Sequence, residues 1–595
     1  MVTEHGIKFG VHLITKHFGK IVAKVCEKLF SHGPLTLDQL VRYTDFTKDQ
    51  VRNSLLVLVQ HNCAQAFVSA PQDDDDDADR LRVRTQYLVL FDNIIHRLRF
   101  PKFLDIVSRK LDEECVKLLV GLLRDGRLTL KQMVDRESQG KGKCFVMHMT
   151  FETMKTKSIF GVGQGTCTRS VVLFGLSYRN ENAVPTKVVR ETLCKLLTAR
   201  FVERCPAPEP VVSTSFKETT TKKRGAKSAK IFEAPETLEQ RVVDAAVPGD
   251  VIRFSLTANM GSNVDRETNS DDVPMISVEE DVAKEEQILW RANFEEFIRH
   301  LRHKVLIENV RTQHDDGTAT VLSAVLEATG SVEKKVKMDN SVPLSLDTII
   351  TEVMKTDTGR TMTIDRIRAS LVQLGCSPSM ILEESYSIGK IDTYFPHDLK
   401  KIIEPARNEE VESIVLKRYG RDAYRMFRLL AKDCCFHDTD QIAASTLVEK
   451  KEASKLLYKL WKDNYLYMEK VGATAGAKQI TILMWKVNKP LLWEYVLDEM
   501  YHAALNLSLR MAFEQEKDEE FQLGGLSSPI VSLGLILGNK NVYRGWYLVL
   551  LKVPKDKLRE PGPLQKKYKR LLNVRLLMGS SLLKLDDALM LFHDF

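Results

Sequence analysis

Arg52, Arg190 and Arg368 stand at one equivalent place in three similar stretches of this chain: each follows the first apolar residue of a short helical segment, where its side chain would leave the buried face. A guanidinium so placed suits contact with phosphate, through its charge and its forked donors. It equally suits a solvated helix surface, and the residues alone leave both readings open. Other cations extend the set to Lys48 in the first stretch and to Lys187, Lys195 and Arg200 in the second, which makes the second the better electrostatic candidate. Near the first stretch the run Asp73 to Asp77 would repel phosphate and argues against the usual groove-binding pose there.

Bond-making chemistry finds no foothold. No Gly-x-Ser-x-Gly elbow, His-Glu-x-x-His or Walker pattern places a nucleophile, a metal or a phosphate. The Gly161, Gly163, Gly165 run lacks the strand-to-helix setting and the Lys-Ser/Thr of a nucleotide loop. Ten cysteines are scattered singly, apart from the Cys434-Cys435 pair, with no Cys-x-x-Cys. They read as reduced and packed, so no metal, no cofactor and no small-molecule substrate is expected.

The elements that carry these cations follow one design. In the first stretch Ile14, Phe18, Ile21, Val22, Val25 and Leu29 predict a helix with one buried face, stopped at Gly33-Pro34. Thr36 with Gln39, then Thr47 with Gln50, make capping-box patterns for two further helices in close succession. The third helix has apolar residues Val51, Leu55, Leu58 and Val59, repeated at identical spacing as Val189, Leu193, Leu196 and Leu197, then as Ala453, Leu457, Leu460 and Trp461 with Thr446 and Glu449 as the cap. Ile367, Leu371 and Leu374 make a weaker fourth match, ended by Gly375. The stretches Gly33 to Val41 and Gly126 to Val134 also read almost alike. Tyr465 to Val471 and Gln479 to Val487, joined through Gly472 to Gly476, form a β-hairpin pattern. In the first copy the hairpin strands are Ala66 to Ser69 and Leu81 to Leu90.

Three helices and a hairpin make a winged helix. The fold expected is mainly α with small β-hairpins: tandem winged-helix (helix-turn-helix) modules plus a C-terminal coiled-coil helical hairpin. The expected boundaries are 1–92, 93–210 with an insertion at 138–182, a flexible linker at 211–285, 286–400, 401–490, and 491–595 with an insertion at about 524–561. The coiled-coil stripe runs through Leu492, Tyr495, Val496, Met500 and Ala503, and through Leu571, Val574, Leu577, Leu582, Leu585, Leu589 and Phe592. In the linker, Lys222, Lys223 and Arg224 suit a nuclear-import signal, a nucleic-acid contact or plain solvation.

At 595 residues, 44% hydrophobic and 28% charged, the chain has room for several packed domains. It has no run of the roughly 20 apolar residues that span a bilayer, and the reading is an intracellular protein without a membrane partner. A net charge of +7 is modest for this length. It suits a protein that touches nucleic acid while held by larger partners.

Four ordered motifs carry a resemblance: His17 to Val22 in the first helix, Leu58 to Asn62 closing the third, Arg200 to Pro206 ending the second module, and Trp290 to Phe294 opening the third. The chain resembles the winged-helix subunit of RNA polymerase III, the largest member of that enzyme's initiation heterotrimer, itself similar to general transcription factor IIE alpha. The resemblance covers nearly the whole chain outside the two insertions. It implies a nuclear, non-catalytic subunit seated on the clamp of the largest polymerase subunit, beside the other two members of the heterotrimer. It further implies recruitment of the initiation factor, opening of promoter DNA and synthesis of tRNA, 5S rRNA and other short RNAs. The competing readings are an enzyme, a cullin-like winged-helix scaffold and a free-standing DNA-binding regulator.

Overall fold

The structure, a computed structural model, describes residues 2–69, 84–139, 145–154, 169–178, 186–212, 237–256, 287–330, 344–375, 377–380, 392–395, 399–433, 435–475, 478–525 and 563–595. It is mostly helical with small sheets. Two compact units divide the chain, one built from 1–9, 295–516 and 578–595, the other from 10–294 and 517–577.

Helix α1 (Glu4–Phe18) is followed by α2 (Lys20–His32), β1 (Leu35–Thr36), α3 (Leu37–Thr44), α4 (Lys48–Gln60), β2 (Ala64–Ser69) and β3 (Thr85–Val89). The single helix expected across Ile14 to Leu29 is therefore two. Gly19 breaks it at φ +90°, a conformation that costs glycine nothing and other residues much, and Ile21 turns outward at 44% exposure. Both predicted capping boxes form: the Thr36 hydroxyl accepts from the Gln39 amide and Thr47 from that of Gln50, each glutamine answering the threonine amide. These reciprocal bonds satisfy amides a helix start leaves orphaned.

After α5 (Phe91–His96) and α6 (Phe100–Lys110) the order returns as α7 (Glu113–Asp125), β4 (Leu128–Thr129), α8 (Leu130–Gln139), β5 (Phe145–Met154), β6 (Arg169–Tyr178), α9 (Thr186–Thr198), β7 (Val202–Arg204) and, later, β9 (Leu289–Ala292). Among the described residues, strands β5 and β6 pair only with each other and join none of the other sheets. The span expected to be a linker holds described elements: β8 (Val211–Val212), α10 (Leu238–Ala246) and α11 (Asp250–Arg253). Val212 and Val242 pack with Phe67 in one buried cluster, and β8 adds to β2 in parallel. This part of the span is pinned by apolar burial on a sheet more than a hundred residues earlier.

The chain continues with α12 (Phe294–Gln313), α13 (Asp316–Gly330), β10 (Leu344–Ser345), α14 (Leu346–Lys355), α15 (Ile364–Gln373), β11 (Ser377–Met380) and β12 (Asp392–Phe395). Then come α16 (Leu399–Tyr419), α17 (Arg421–Asp433), β13 (His437–Asp438), α18 (Thr439–Thr446), α19 (Lys450–Lys462), β14 (Tyr467–Ala475) and β15 (Lys478–Lys486), and finally α20 (Lys489–Gly525) and α21 (Pro563–His593).

Four times, then, the chain runs helix, short strand, helix, helix, strand, strand, in the second case once β5–β6 and β8–α11 are set aside. The sheet orders match as well: β1-β3-β2, β4-β9-β7, β10-β12-β11 and β13-β15-β14 each set the last strand in the middle. The third helix of each repeat closes on a residue with positive φ, Asn62, Arg200, Gly375 or Asn464. In the third repeat that residue comes one turn early, so α15 is shorter than its counterparts. Along α20, Leu492, Val496 and Met500 are buried as expected, but Ala504 takes the place given to Ala503; on α21, Leu582 and Leu589 are buried whereas Leu577 is 67% exposed. Among the described residues no helix is long and apolar enough to cross a membrane.

Candidate nucleic-acid interface

The third helix of each repeat offers the surface on which the predicted cations lie. One face of α4 is sunk in the core by Val51, Leu55 and Leu58, of α9 by Val189, Leu193, Leu196 and Leu197, of α15 by Ile367 and Leu371, and of α19 by Ala453, Leu457 and Leu460. What is left faces outward because a helix shows its two faces with a 3.6-residue period.

Arg52, Lys187, Arg190, Lys195 and Arg368 are all exposed, as is Lys48. Several are engaged within the fold. Arg52 meets Asp49 at 2.8 Å and Arg368 meets Asp365 at 4.0 Å, both one turn back on their own helix. Lys48 reaches Asp38 at 3.4 Å, and Lys450 repeats that bridge to Asp440 at 2.8 Å with the same ten-residue spacing. Lysine and aspartate thus tie the third helix to the second in two repeats, although exposed pairs of this kind add little stability. Arg200 is half-buried at the left-handed end of α9, its guanidinium 5.3 Å from the Phe254 ring centre and its carbonyl accepting from Asn293.

Lys195 Nζ lies 2.5 Å from Asp112, the residue that caps α7 by accepting from the Cys115 amide. Hydrogen bonding to Lys195, and then to Cys115, draws the Asp112 carboxyl down to about 2, and the same contact raises Lys195. Burial, with Asp112 beside it, pushes the Cys115 thiol up to about 12. That thiol is packing material, not a nucleophile.

Residues 73–77, the glycines at 161, 163 and 165, and Lys222, Lys223 and Arg224 lie outside the described residues. Among the described residues no cluster of histidine, cysteine and carboxylate side chains could hold a metal.

Two features escaped the sequence reading. Helix α19 carries five lysines, at 450, 451, 455, 459 and 462, against the single Glu452, and the recurring arginine does not point to it because Ser454 fills that position. The second is the joint between the first two repeats. The Gln60 amide donates to the carbonyls of Asp125 and Arg127 at 2.9 and 2.6 Å and Arg127 donates to Asn62 at 3.0 Å; behind this joint, within the second repeat, Arg291 and Arg253 both bond the buried carboxylate of Glu203. The fourth repeat also corrects a cap. Thr446 is the last residue of α18, its hydroxyl donating to the Ile442 carbonyl, and Glu449 precedes α19 without a side-chain capping bond.

Three family models match the chain in order. The RNA polymerase III subunit RPC82 helix-turn-helix domain matches residues 9–69, RNA polymerase III subunit RPC82 matches 191–412, and the POLR3C C-terminal winged-helix domain matches 411–487. The chain is 22% identical over 530 residues to DNA-directed RNA polymerase III subunit RPC3 of Homo sapiens, covering 87% of this chain and 86% of that one. It is 21% identical over 509 residues to the Danio rerio protein of that name, covering 85% and 84%. Against the Dictyostelium discoideum protein it is 24% identical over 214 residues, 34% of this chain and 27% of the other. With all three models pointing one way and full-length similarity beside them, the chain belongs to the RNA polymerase III subunit RPC82 family.

Proposed function

We propose that this chain is a non-catalytic subunit of RNA polymerase III, acting in nuclear transcription initiation, and that its four repeats are tandem winged helices followed by a coiled-coil hairpin. The carrying observation is the succession of family models of one polymerase subunit from residue 9 to residue 487, with the four-fold recurrence of one strand order as its structural support. Docking, not bond-making, is the work such modules suit.

In this reading the chain sits on the clamp of the largest polymerase subunit and binds the other two members of the initiation heterotrimer. It helps recruit the initiation factor and open promoter DNA. Anchoring to a large enzyme raises the effective concentration of DNA at its surface, so a net charge of only +7 suffices for useful phosphate contacts. The candidate contacts proposed from the sequence remain Lys48, Arg52, Lys187, Arg190, Lys195, Arg200 and Arg368, with Lys222, Lys223 and Arg224 for nuclear import.

The test is purification of the tagged full chain under mild salt. Recovery of the polymerase III core with two small companions is expected. Recovery of ubiquitin-ligase components instead, without polymerase, overturns the reading in favour of a cullin-like scaffold.

A further inference from the structure

Aligned on their first buried residue, Val51, Val189, Ile367 and Ala453, the third helices share an outward line two positions before that residue and two and five after it, extended in α19 by the position nine after it. This is the i, i+4, i+7, i+11 spacing of a single helix face. In the first three repeats the line includes an exposed acid, Asp49, Glu191 or Asp365, and in two of them a bare aliphatic, Leu56 at 60% and Val372 at 65% exposure. In α19 it reads Lys451, Lys455, Tyr458, Lys462, all exposed.

Lys451 and Lys462 have no carboxylate partner among the described residues, and the pair Lys455–Glu452 at 3.2 Å is open to solvent and weak. Lys470 is exposed on β14, the strand that follows. From Lys451 to Lys462 the helix rises about 16 Å. That exceeds the roughly 12 Å width of a DNA major groove, so lysines at its two ends can meet phosphates of opposite strands.

We propose that this face of the fourth repeat binds duplex DNA through its phosphates, with α19 across the major groove, Tyr458 in the middle of the line and Lys470 on the neighbouring backbone. Charge complementarity selects this occupant: three lysines and an aromatic on one line match a polyanion of regular spacing. Lysine is a point charge without a bidentate fork, so the contact is independent of base sequence. The inference deepens the polymerase-subunit reading, under which the DNA is that held near the enzyme, and its test is separable from that of the reading.

Binding of the full chain to a fluorescent duplex of about two helical turns is followed by anisotropy across a salt series. Replacing Lys451, Lys455 and Lys462 together by Gln should lower the slope of log affinity against log salt by about 2 to 3, since each lost phosphate contact removes about 0.9, and weaken binding at least about tenfold at low salt. A variant of equal charge change elsewhere, Lys8→Gln with Lys24→Gln and Lys355→Gln, should leave the slope in place, with thermal midpoints of all three proteins alike. An unchanged slope in the first variant, or no duplex binding by the parent chain at low salt, overturns the proposal. So does a first variant that keeps its DNA affinity but no longer brings down polymerase, which would assign the lysines to an acidic protein surface and leave the subunit reading intact. A lowered slope in a chain that recovers no polymerase keeps this surface and sinks that reading.

Discussion

Gly126 sits where the first and second repeats meet, at φ +83°, and a Cβ built there would lie 2.0 Å from the Gln60 carbonyl oxygen and 3.1 Å from the His61 Cα. Both obstacles are backbone, so neither can swing aside. Gly126→Ala is expected to cost about 3 kcal/mol or more in urea unfolding, because it adds left-handed strain to a collision at a hydrogen-bonded joint; a loss under about 1 kcal/mol would mean the joint yields. Close by, burial keeps His61 and His17 uncharged, taking His61 down to about 3 with the Arg97 guanidinium adding to it, and His17 well below 6.5. The unfolded chain binds those protons near 6.5, so the native state holds fewer of them through the interval below it. The stability from keeping both rings neutral is full above about pH 6.5 and drains away as pH falls through that interval. Two such histidines should remove about 2 kcal/mol between about pH 7 and pH 5.5. Urea midpoints at the two pH values check this, and His61→Gln should roughly halve the difference, His17 supplying the rest.

Helix starts are where local sequence speaks most plainly. Thr47 accepts from the Gln50 amide at 3.3 Å, and Thr47→Ala should cost about 1 kcal/mol. Glu449 holds the same place before α19 without a side-chain bond, so Glu449→Ala should cost only a few tenths at most, and equal losses in the two variants would remove the cap argument. The pattern of Thr followed three residues later by Gln or Glu was legible at Thr36 and Thr47 because every atom involved lies within one turn. It misled at Thr446, where a threonine ending one helix back-bonds to Ile442 and resembles the start of the next. The break at Gly19 was hidden for a related reason, since buried residues continue on both sides of it and periodicity does not register a change of axis. Helix α10 opens on a Thr237–Gln240 box as plain as the other two, but a box marks only a helix start; what seats α10 and α11 is remote, Val242 meeting Phe67 and Arg253 meeting Glu203. Of the candidate interface, the buried half of each third helix could be read from spacing. The outward half could not be ranked, because whether a cation is spent on a neighbour depends on carboxylates such as Asp38 and Asp112 that belong to other helices.

At the scale of the whole molecule the ends of the chain do work that their position in sequence conceals. Leu591 and Phe595, at the C-terminus, pack against the core of the third repeat, which is built from residues between Leu306 and Ile403. Arg407 fixes that contact by donating to the Leu591 carbonyl at 2.7 Å while its guanidinium stands 4.9 Å from the Trp493 ring centre. A helix read from its stripe as half of a coiled coil therefore also acts as a plug for a domain almost two hundred residues earlier. Both plug residues are only partly buried, so the expected cost of replacing Leu591 and Phe595 together by Ala lies at the low end for core truncations, about 3 kcal/mol in all. The loss should appear where the plug sits. Amide hydrogen exchange should speed up in α14 and α15, around Ile349, Val353 and Leu371, and should stay as it was in α2 and α4, around Val25 and Leu55. Uniform acceleration across both sets, or none in either, would show that the C-terminus does not stabilise the third repeat, and that its contact with Arg407 is a resting place without energetic consequence.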